Sequence, residues 1–288
     1  MKGERITAVL KGKKSFGVKG KKQWIACLAV IFWIGSYLPA WAAAPPDITA
    51  DAAIVVDENT GEVLYEKNPD KREYPASMTK IMTCLLAVEN GNLQRIVEVS
   101  DRAADVECTR LRPGYRVRMS TLLLQMMMIS DNGCATAVGE SLSAGDVQDF
   151  ARLMNRRAKE LGAVNTHFVN ANGMPDPNHY STARDMADIA CYAMHNETFR
   201  HIVGTEHATV SYLFPAGHTE YCVNTDDLLR DYPGCTGGKT GWTRSARGCL
   251  MAAAARNGRE LLTVVMHSQD EETRFSEAEA LLDYGFQQ

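Results

Sequence analysis

The chain is 288 residues long with a formal net charge of −4, and eight of its 31 basic residues fall within the first 22 positions. Beyond residue 42 there remain 23 basic and 34 acidic residues, a formal charge of −11, which argues against a nucleic-acid partner because such a partner needs a basic footprint. About 245 residues are enough for one large domain, or for a domain with a lobe.

Residues 1–42 read as an address. Lys2, Arg5, Lys11, Lys13, Lys14, Lys19, Lys21 and Lys22 form a basic region, residues 24–38 an apolar run, and Ala40-Trp41-Ala42 a small-x-small cleavage site. Pro45 disfavours a cut directly before it, so cleavage is expected after Ala42, leaving residues 43–288 as the mature chain. The apolar run is short for a membrane span, and membrane contact is expected only if the signal stays uncleaved. The seven cysteines past residue 42 are an odd number, so at least one thiol stays free. Cys84, Cys134, Cys191 and Cys249 lie in apolar patterns and read as core, while Cys222 and Cys235 flank a loop and are open to pairing.

Ile54-Val55-Val56, a turn at residues 58–61 and Val63-Leu64-Tyr65 predict a β-hairpin. Next, Met78, Ile81, Met82, Leu85 and Leu86 follow the i, i+3, i+4, i+7, i+8 spacing of a buried helix ending near Asn90-Gly91, with Ser77 in its first turn. A polar loop precedes a helix through residues 122–128, capped by Ser120 and apolar nearly all round. Ser130-Asp131-Asn132-Gly133 breaks the chain before a helix of small residues. Residues 146–161 are amphipathic and stop at Gly162. After a loop, Ser181 or Thr182 caps a helix to residue 194, and Thr182 with Asp185 resembles a capping box. Strands are predicted at residues 210–213 and 221–223, and again at 248–255 and 261–267 around Asn257-Gly258, a type I′ turn signal. Residues 273–284 close as a helix. Strands at both ends with helices between them predict an α+β fold: a mainly antiparallel sheet flanked by helices, with an inserted helical lobe at about residues 95–200.

The chemistry starts at Ser77-x-x-Lys80. Residues three apart share a helix face, which sets the Lys80 amine beside the Ser77 hydroxyl. A serine needs a base to become a nucleophile, and lysine serves as one only if its pKa falls from about 10.4 to near 7. Burial, the helix N-terminus and a nearby second cation all push that way. Two further elements follow in order: Ser130-Asp131-Asn132 on an interhelix loop, and Lys239-Thr240-Gly241 after a double glycine at a strand start. Each is weak alone, but the three together, at gaps of about 50 and 110 residues, are a specific signature.

In these motifs the chain resembles the penicillin-recognising serine enzymes. Among them it is most similar to the low-molecular-mass penicillin-binding proteins that act as D-alanyl-D-alanine carboxypeptidases. Residues 165–170 (Asn-Thr-His-Phe-Val-Asn), Asn172-Gly173, residues 179–186 (His-Tyr-Ser-Thr-Ala-Arg-Asp-Met) and residues 281–286 (Leu-Leu-Asp-Tyr-Gly-Phe) extend the resemblance over residues 52–286. It implies that Ser77 attacks the carbonyl between the two terminal D-alanines of a peptidoglycan stem peptide. Lys80 is then the base, Ser130 the relay to the departing amine, Asn132 a holder of the substrate amide and Asp131 loop support. Lys239 is the cation that keeps Lys80 neutral and draws in the terminal carboxylate, and Thr240 and Thr243 offer that carboxylate hydroxyls. The oxyanion is expected between the N–H groups of Ser77 and Trp242, and Gly241 is counted with them among the substrate-binding residues. Arg244, Arg247 and Arg274 are candidates for one more carboxylate contact. β-Lactams are implied as covalent inhibitors, and no cofactor or metal is implied.

The resemblance further implies an exported protein, periplasmic or otherwise extracytoplasmic and loosely membrane-associated at most. Relatives commonly add a β-rich C-terminal domain and an amphipathic membrane helix, neither of which is expected after Gln288. A class A-like β-lactamase needs a glutamate about 36 residues past Ser130, where Thr166 stands. A non-catalytic β-lactam sensor needs an attached signalling or membrane domain. A zinc peptidase needs clustered ligands, whereas His195, His201 and His207 recur every six residues and read as surface. Carboxypeptidase and DD-endopeptidase cleavage stay open.

Overall fold

The computed structural model describes residues 44–90 and 92–288; the signal-peptide reading of residues 1–42 lies outside them. Five strands form one antiparallel sheet: β1 (Ala52–Asp57), β2 (Val63–Lys67), β7 (Cys235–Thr243), β8 (Arg247–Arg256) and β9 (Arg259–Ser268), in the spatial order β2-β1-β9-β8-β7. The expected α+β architecture with N- and C-terminal strands in one sheet is therefore present. The Asn257-Gly258 turn joins β8 to β9 with φ of 53° and 80°, the left-handed pair that a type I′ turn requires.

Both faces of this sheet are covered, which is why β1 is buried at every position. Strand alternation sends Ala53, Val55, Leu250, Ala252 and Val265 towards helix α9 (Thr273–Gly285), where they meet Ala278, Leu281 and Leu282. Ile54, Val56, Met251, Ala253 and Val264 point the other way, into a larger core with the central helices. At the middle of that core lies helix α1 (Thr79–Glu89), which is buried from Thr79 to Val88 on all sides rather than along one stripe. Met78, Ile81, Met82 and Leu85 have no exposed surface, and burial of each such side chain contributes about 1.5–3 kcal/mol.

Short elements form inside the segment read as a polar loop. Strands β3 (Ile96–Glu98) and β4 (Arg116–Arg118) pair, and helix α2 (Asp101–Ala104) is capped by Ser100. Helix α3 (Met119–Met128) starts without the expected Ser120 cap. Its first N–H groups are satisfied instead by backbone: Met119 donates to the Arg95 carbonyl and Ser120 to that of Leu93. Aspartates cap the next two helices. Asp131 accepts from Cys134 N–H at the start of α4 (Asn132–Leu142), and Asp146 caps α5 (Val147–Glu160). Thr182 caps α6 (Ala183–Met194), but the box is not closed. The Asp185 carboxylate accepts instead from Asn165 N–H and the Thr166 hydroxyl, both at 2.7 Å, tying the preceding loop to the helix. Helix α7 (Glu197–Val203), the hairpin β5 (His207–Ser211) and β6 (Thr219–Val223), and the short α8 (Leu228–Asp231) lead back to the sheet at β7.

All seven described cysteines are free. Cys222 packs into the helical core whereas Cys235 packs against the α9 side of the sheet, so the pairing left open by the sequence does not form. His195, His201 and His207 are exposed. Among the described residues no helix is long and apolar enough to cross a membrane.

Candidate active site

Ser77 sits in a 3-10 turn (Ala76–Met78) that runs into α1. Ala76 before it has φ +47°, a left-handed backbone that an L-residue holds at a cost of roughly 1–2 kcal/mol. Two close approaches hold that turn. A Cβ on Gly173 (φ +88°) would stand 1.9 Å from the Ala76 carbonyl oxygen, and one on Gly241 would stand 3.2 Å from Ser77 N. Only glycine lets the 170–174 segment and edge strand β7 press on the serine turn from both sides. Gly173→Ala is therefore expected to shift Ser77, lowering penicillin acylation at least tenfold and the melting temperature by about 5–10 °C, which stopped-flow kinetics and calorimetry would measure. Wild-type values for both would refute the close-approach argument.

Lys80, one turn after Ser77, is completely buried. Its Nζ lies 2.7 Å from each of three oxygens: Ser77 Oγ, Asn132 Oδ1 and the Asn172 carbonyl. Burial pulls the Lys80 pKa down to about 7, against the nearby Asp131 carboxylate, which raises it. Lys239 is also buried, and its amine is held well below the usual range by burial first and then by repulsion from Lys80 and Arg274. Loss of water, rather than the Lys239 charge, is thus the main reason Lys80 is depressed.

The Ser130-Asp131-Asn132 loop meets this pair from α4. Ser130 adopts φ +60° and lines a cavity of about 250 Å³ together with Ser77, Asn132, Thr240, Gly241 and Trp242. Asp131 does not face the cavity. Its buried carboxylate accepts from Thr109, Arg110 N–H, Gln125 and Cys134 N–H, which locks the loop as expected of a support. Asn132 gives its amide N–H to the Glu107 carbonyl at 2.9 Å while its Oδ1 takes the Lys80 contact. Lys239 lies behind the cavity floor with Nζ 2.9 Å from the Thr240 carbonyl. The Thr240 and Thr225 hydroxyls are 2.6 Å apart. Thr243 accepts from Ala246 N–H, which orders the turn after β7 and leaves its own O–H to donate.

Of the three candidate arginines, Arg274 is the one that lines this first cavity. It is buried, and its guanidinium donates to the Gly241 carbonyl at 3.0 Å. Arg244 lines a second cavity, of about 290 Å³, on the other side of Ser77. Arg247 is exposed on β8 and lines neither cavity.

Three residues escaped the sequence reading. Thr225 stands in an unremarkable polar loop and reaches the cavity because its N–H is bound by the Met128 carbonyl at the end of α3. The Asn172 carbonyl acts through backbone, which no side-chain pattern reports. Asp226 is buried beside Lys239 with Oδ2 unpartnered, and burial pushes its pKa up to about 7. Gly238 permits this, since a Cβ there would stand 2.2 Å from Asp226 Oδ2. His179 explains part of the 179–186 motif. Its Nδ1 accepts from Val169 N–H, so Nε2 carries the proton and donates to Thr79 at 2.7 Å, pinning the start of α1. One group of three possible metal ligands falls together among the described residues, Asp51, Glu73 and His267, away from both cavities. The Lys71 ammonium already bridges its two carboxylates at 2.7 Å each.

A serine hydroxyl against a buried, depressed lysine amine, under an edge strand that carries a lysine and threonines, defines a serine acyl-transferring enzyme. The profile of the D-alanyl-D-alanine carboxypeptidases, peptidase family S11, matches residues 40–270. The chain is 35% identical over 256 residues to D-alanyl-D-alanine carboxypeptidase DacB2 of Mycobacterium tuberculosis, covering 86% of each chain. It is also 35% identical over 247 residues to DacF of Bacillus subtilis, covering 83% of this chain and 62% of that relative. The solved structure of the Streptomyces K15 DD-transpeptidase superposes with a TM-score of 0.81 at 33% identity, covering 85% of this chain and 99% of that one. The chain belongs to the D-alanyl-D-alanine carboxypeptidase family.

Proposed function

We propose that this chain removes the terminal D-alanine from peptidoglycan stem peptides through an acyl-enzyme on Ser77, outside the cytoplasm, and that penicillin acylates the same serine. One observation carries the reading: the three 2.7 Å contacts of Lys80. A neutral amine has two N–H groups and one lone pair. Asn132 Oδ1 and the Asn172 carbonyl only accept, so they take the two N–H groups, and the lone pair is left facing the Ser77 hydroxyl. Lys80 is thereby poised to take the serine proton as Oγ bonds to the carbonyl carbon between the two D-alanines.

The remaining roles follow from position. Ser130 returns the proton to the D-alanine nitrogen as the C–N bond breaks, and water then splits the ester and restores Ser77. The N–H groups of Ser77 and Trp242 hold the oxyanion, at roughly 3 kcal/mol per donor. The terminal carboxylate docks in the first cavity on Arg274, with the Thr240 hydroxyl beside it, while Thr243 lines the second cavity. Arg274 supplies the standing positive charge, since a guanidinium keeps its proton. An arriving carboxylate raises the affinity of Lys239 for a proton and so recruits the second cation.

Labelled penicillin followed by peptide mass mapping tests the nucleophile. The adduct is expected on Ser77, and a label on another residue, or one that survives Ser77→Ala, refutes the assignment. Mass analysis of muropeptides treated with the purified protein tests the reaction: loss of one D-alanine from pentapeptides supports it, and cleavage of cross-linked dimers alone makes the enzyme an endopeptidase.

A further inference from the structure

We propose that Asp226 is the proton partner of Lys239: with the first cavity empty the pair keeps one proton on the Asp226 carboxyl, and an arriving carboxylate moves it to the Lys239 amine. The inference rests on the carboxypeptidase reading for its ligand, a peptide whose terminal carboxylate docks in the first cavity. That docking recruits a second cation beside Arg274, and Asp226 is the source of its proton.

The pair lies directly behind the cavity wall. Thr225 and Thr240 line the cavity; Asp226 follows the first in the chain and Lys239 precedes the second. Asp226 is 2% exposed and Lys239 1%, so water stabilises a charge on neither. Lys239 Nζ contacts Thr240, its carbonyl at 2.9 Å and its hydroxyl at 3.5 Å. Asp226 Oδ1 accepts from Leu228 N–H at 3.2 Å, whereas Oδ2 has no hydrogen-bond partner among the described residues. Oδ2 instead shares the space over Gly238 with another acceptor. A Cβ on that glycine would stand 2.2 Å from Oδ2 and 2.6 Å from the Met251 carbonyl oxygen. An ionised carboxylate sets negative charge against that carbonyl, whereas a carboxylic acid supplies the O–H that two acceptors lack.

The surrounding charges favour one proton on the pair rather than two or none. Burial raises the Asp226 carboxyl to about 7; the Leu228 N–H, Lys239 on β7 and Arg274 on α9 pull it down, and Asp227 beside α8 pushes it up. The nearby Cys235 thiol stays neutral, because burial pushes its pKa up to about 12. Lys239 is buried and faces Lys80 and Arg274, so a second proton on the pair adds a cation to a dry, already positive cluster. A substrate carboxylate reverses the balance. It favours the Lys239 ammonium, and that ammonium favours the Asp226 carboxylate. Carboxyl plus amine becomes carboxylate plus ammonium, with no proton drawn from solvent.

Proton uptake on binding tests this. A peptide ending in D-Ala-D-Ala is titrated into the Ser77→Ala protein, which cannot be acylated there, at about pH 6.5 in two buffers of different protonation enthalpy. Adding Asp226→Asn, or the smaller Asp226→Ser, should raise the uptake by roughly half to one proton, and the difference cancels whatever Lys80 contributes. Equal uptake overturns the inference. The second readout uses penicillin, which carries a carboxylate of its own and acylates without releasing D-alanine. With Ser77 restored, the acylation rate of Asp226→Asn relative to wild type should fall about five- to tenfold from pH 6 to pH 7, because Lys239 must then take its proton from solvent. A ratio that stays flat with pH means that Asp226 only shapes the site, and overturns the inference too. A falling ratio in a protein that releases no D-alanine would refute the carboxypeptidase reading alone.

Discussion

Lys80→Arg will lower the rate of Ser77 acylation by penicillin at least a hundredfold, the scale of a lost general base. Arginine keeps its proton under all conditions a protein survives, so no lone pair faces Ser77 Oγ. Because Lys80 has no exposed surface, a bulkier fixed charge also strains the core, and Lys80→Met serves as the companion variant of similar length. It should fold, melt within a few degrees of wild type and show the same loss. Stopped-flow acylation and thermal melts measure both. An arginine or methionine variant acylating at more than about a tenth of the wild-type rate, a difference of ~1.4 kcal/mol, would remove Lys80 from the role of base.

The wild-type pH profile adds a sign. The reactive form of Lys80 is the deprotonated one, and burial holds its pKa at about 7. Acylation should therefore rise with pH through about 7, and fall roughly tenfold per pH unit well below it. Both substitutions should erase that limb. A profile that falls as pH rises through 7 would mean that the charged amine is the active form.

Penicillin will leave Ser77 only slowly, over minutes or longer, while a D-Ala-D-Ala peptide turns over. Hydrolysis of the ester needs a base that sets water against it. The position matched by spacing to the β-lactamase glutamate is Thr166, which is buried and hydrogen-bonded to Ser181 and Asp185. It lines neither cavity. The segment that does face Ser77 and Lys80, Asn172-Gly173-Met174, carries no carboxylate. Glu107 and Glu271 line the cavities, but Glu107 is exposed and Glu271 lies beside Arg274, so neither is held against the ester. A departing D-alanine clears a path for water, whereas the opened β-lactam stays tethered in it. A chase with unlabelled penicillin after stopped-flow acylation measures the lifetime. Penicillin turnover of several per second without D-alanine release would make the chain a β-lactamase.

The local features of this protein were legible because their causes are local. Helical spacing alone puts Lys80 over Ser77, Thr182 caps the helix it precedes, and Asn257-Gly258 turns a hairpin whatever surrounds it. The order of the three motifs singled out Ser77, Lys80 and the Ser130-Asp131-Asn132 loop, which the fold brings together. Ser120 failed as a cap because two carbonyls from the turn before β3, more than twenty residues upstream, reached the helix start first. Asp185 left its box for the same kind of reason, drawn to Asn165 and Thr166.

What only the tertiary structure decided depends on distant segments closing around a group. Lys80 is depressed because core packing removes water from it, and burial is a sum over the whole fold rather than a property of S-x-x-K. The Asn172 carbonyl joins the site through backbone, and Asp226 reaches Lys239 only because Gly238 leaves room for it. The three arginines look alike in sequence, yet the bend from β7 into β8 sends Arg244 to one side of Ser77 while α9 brings Arg274 to the other. Spacing along a chain fixes which residues are neighbours on one element; which elements become neighbours is settled by how they bury their apolar faces together.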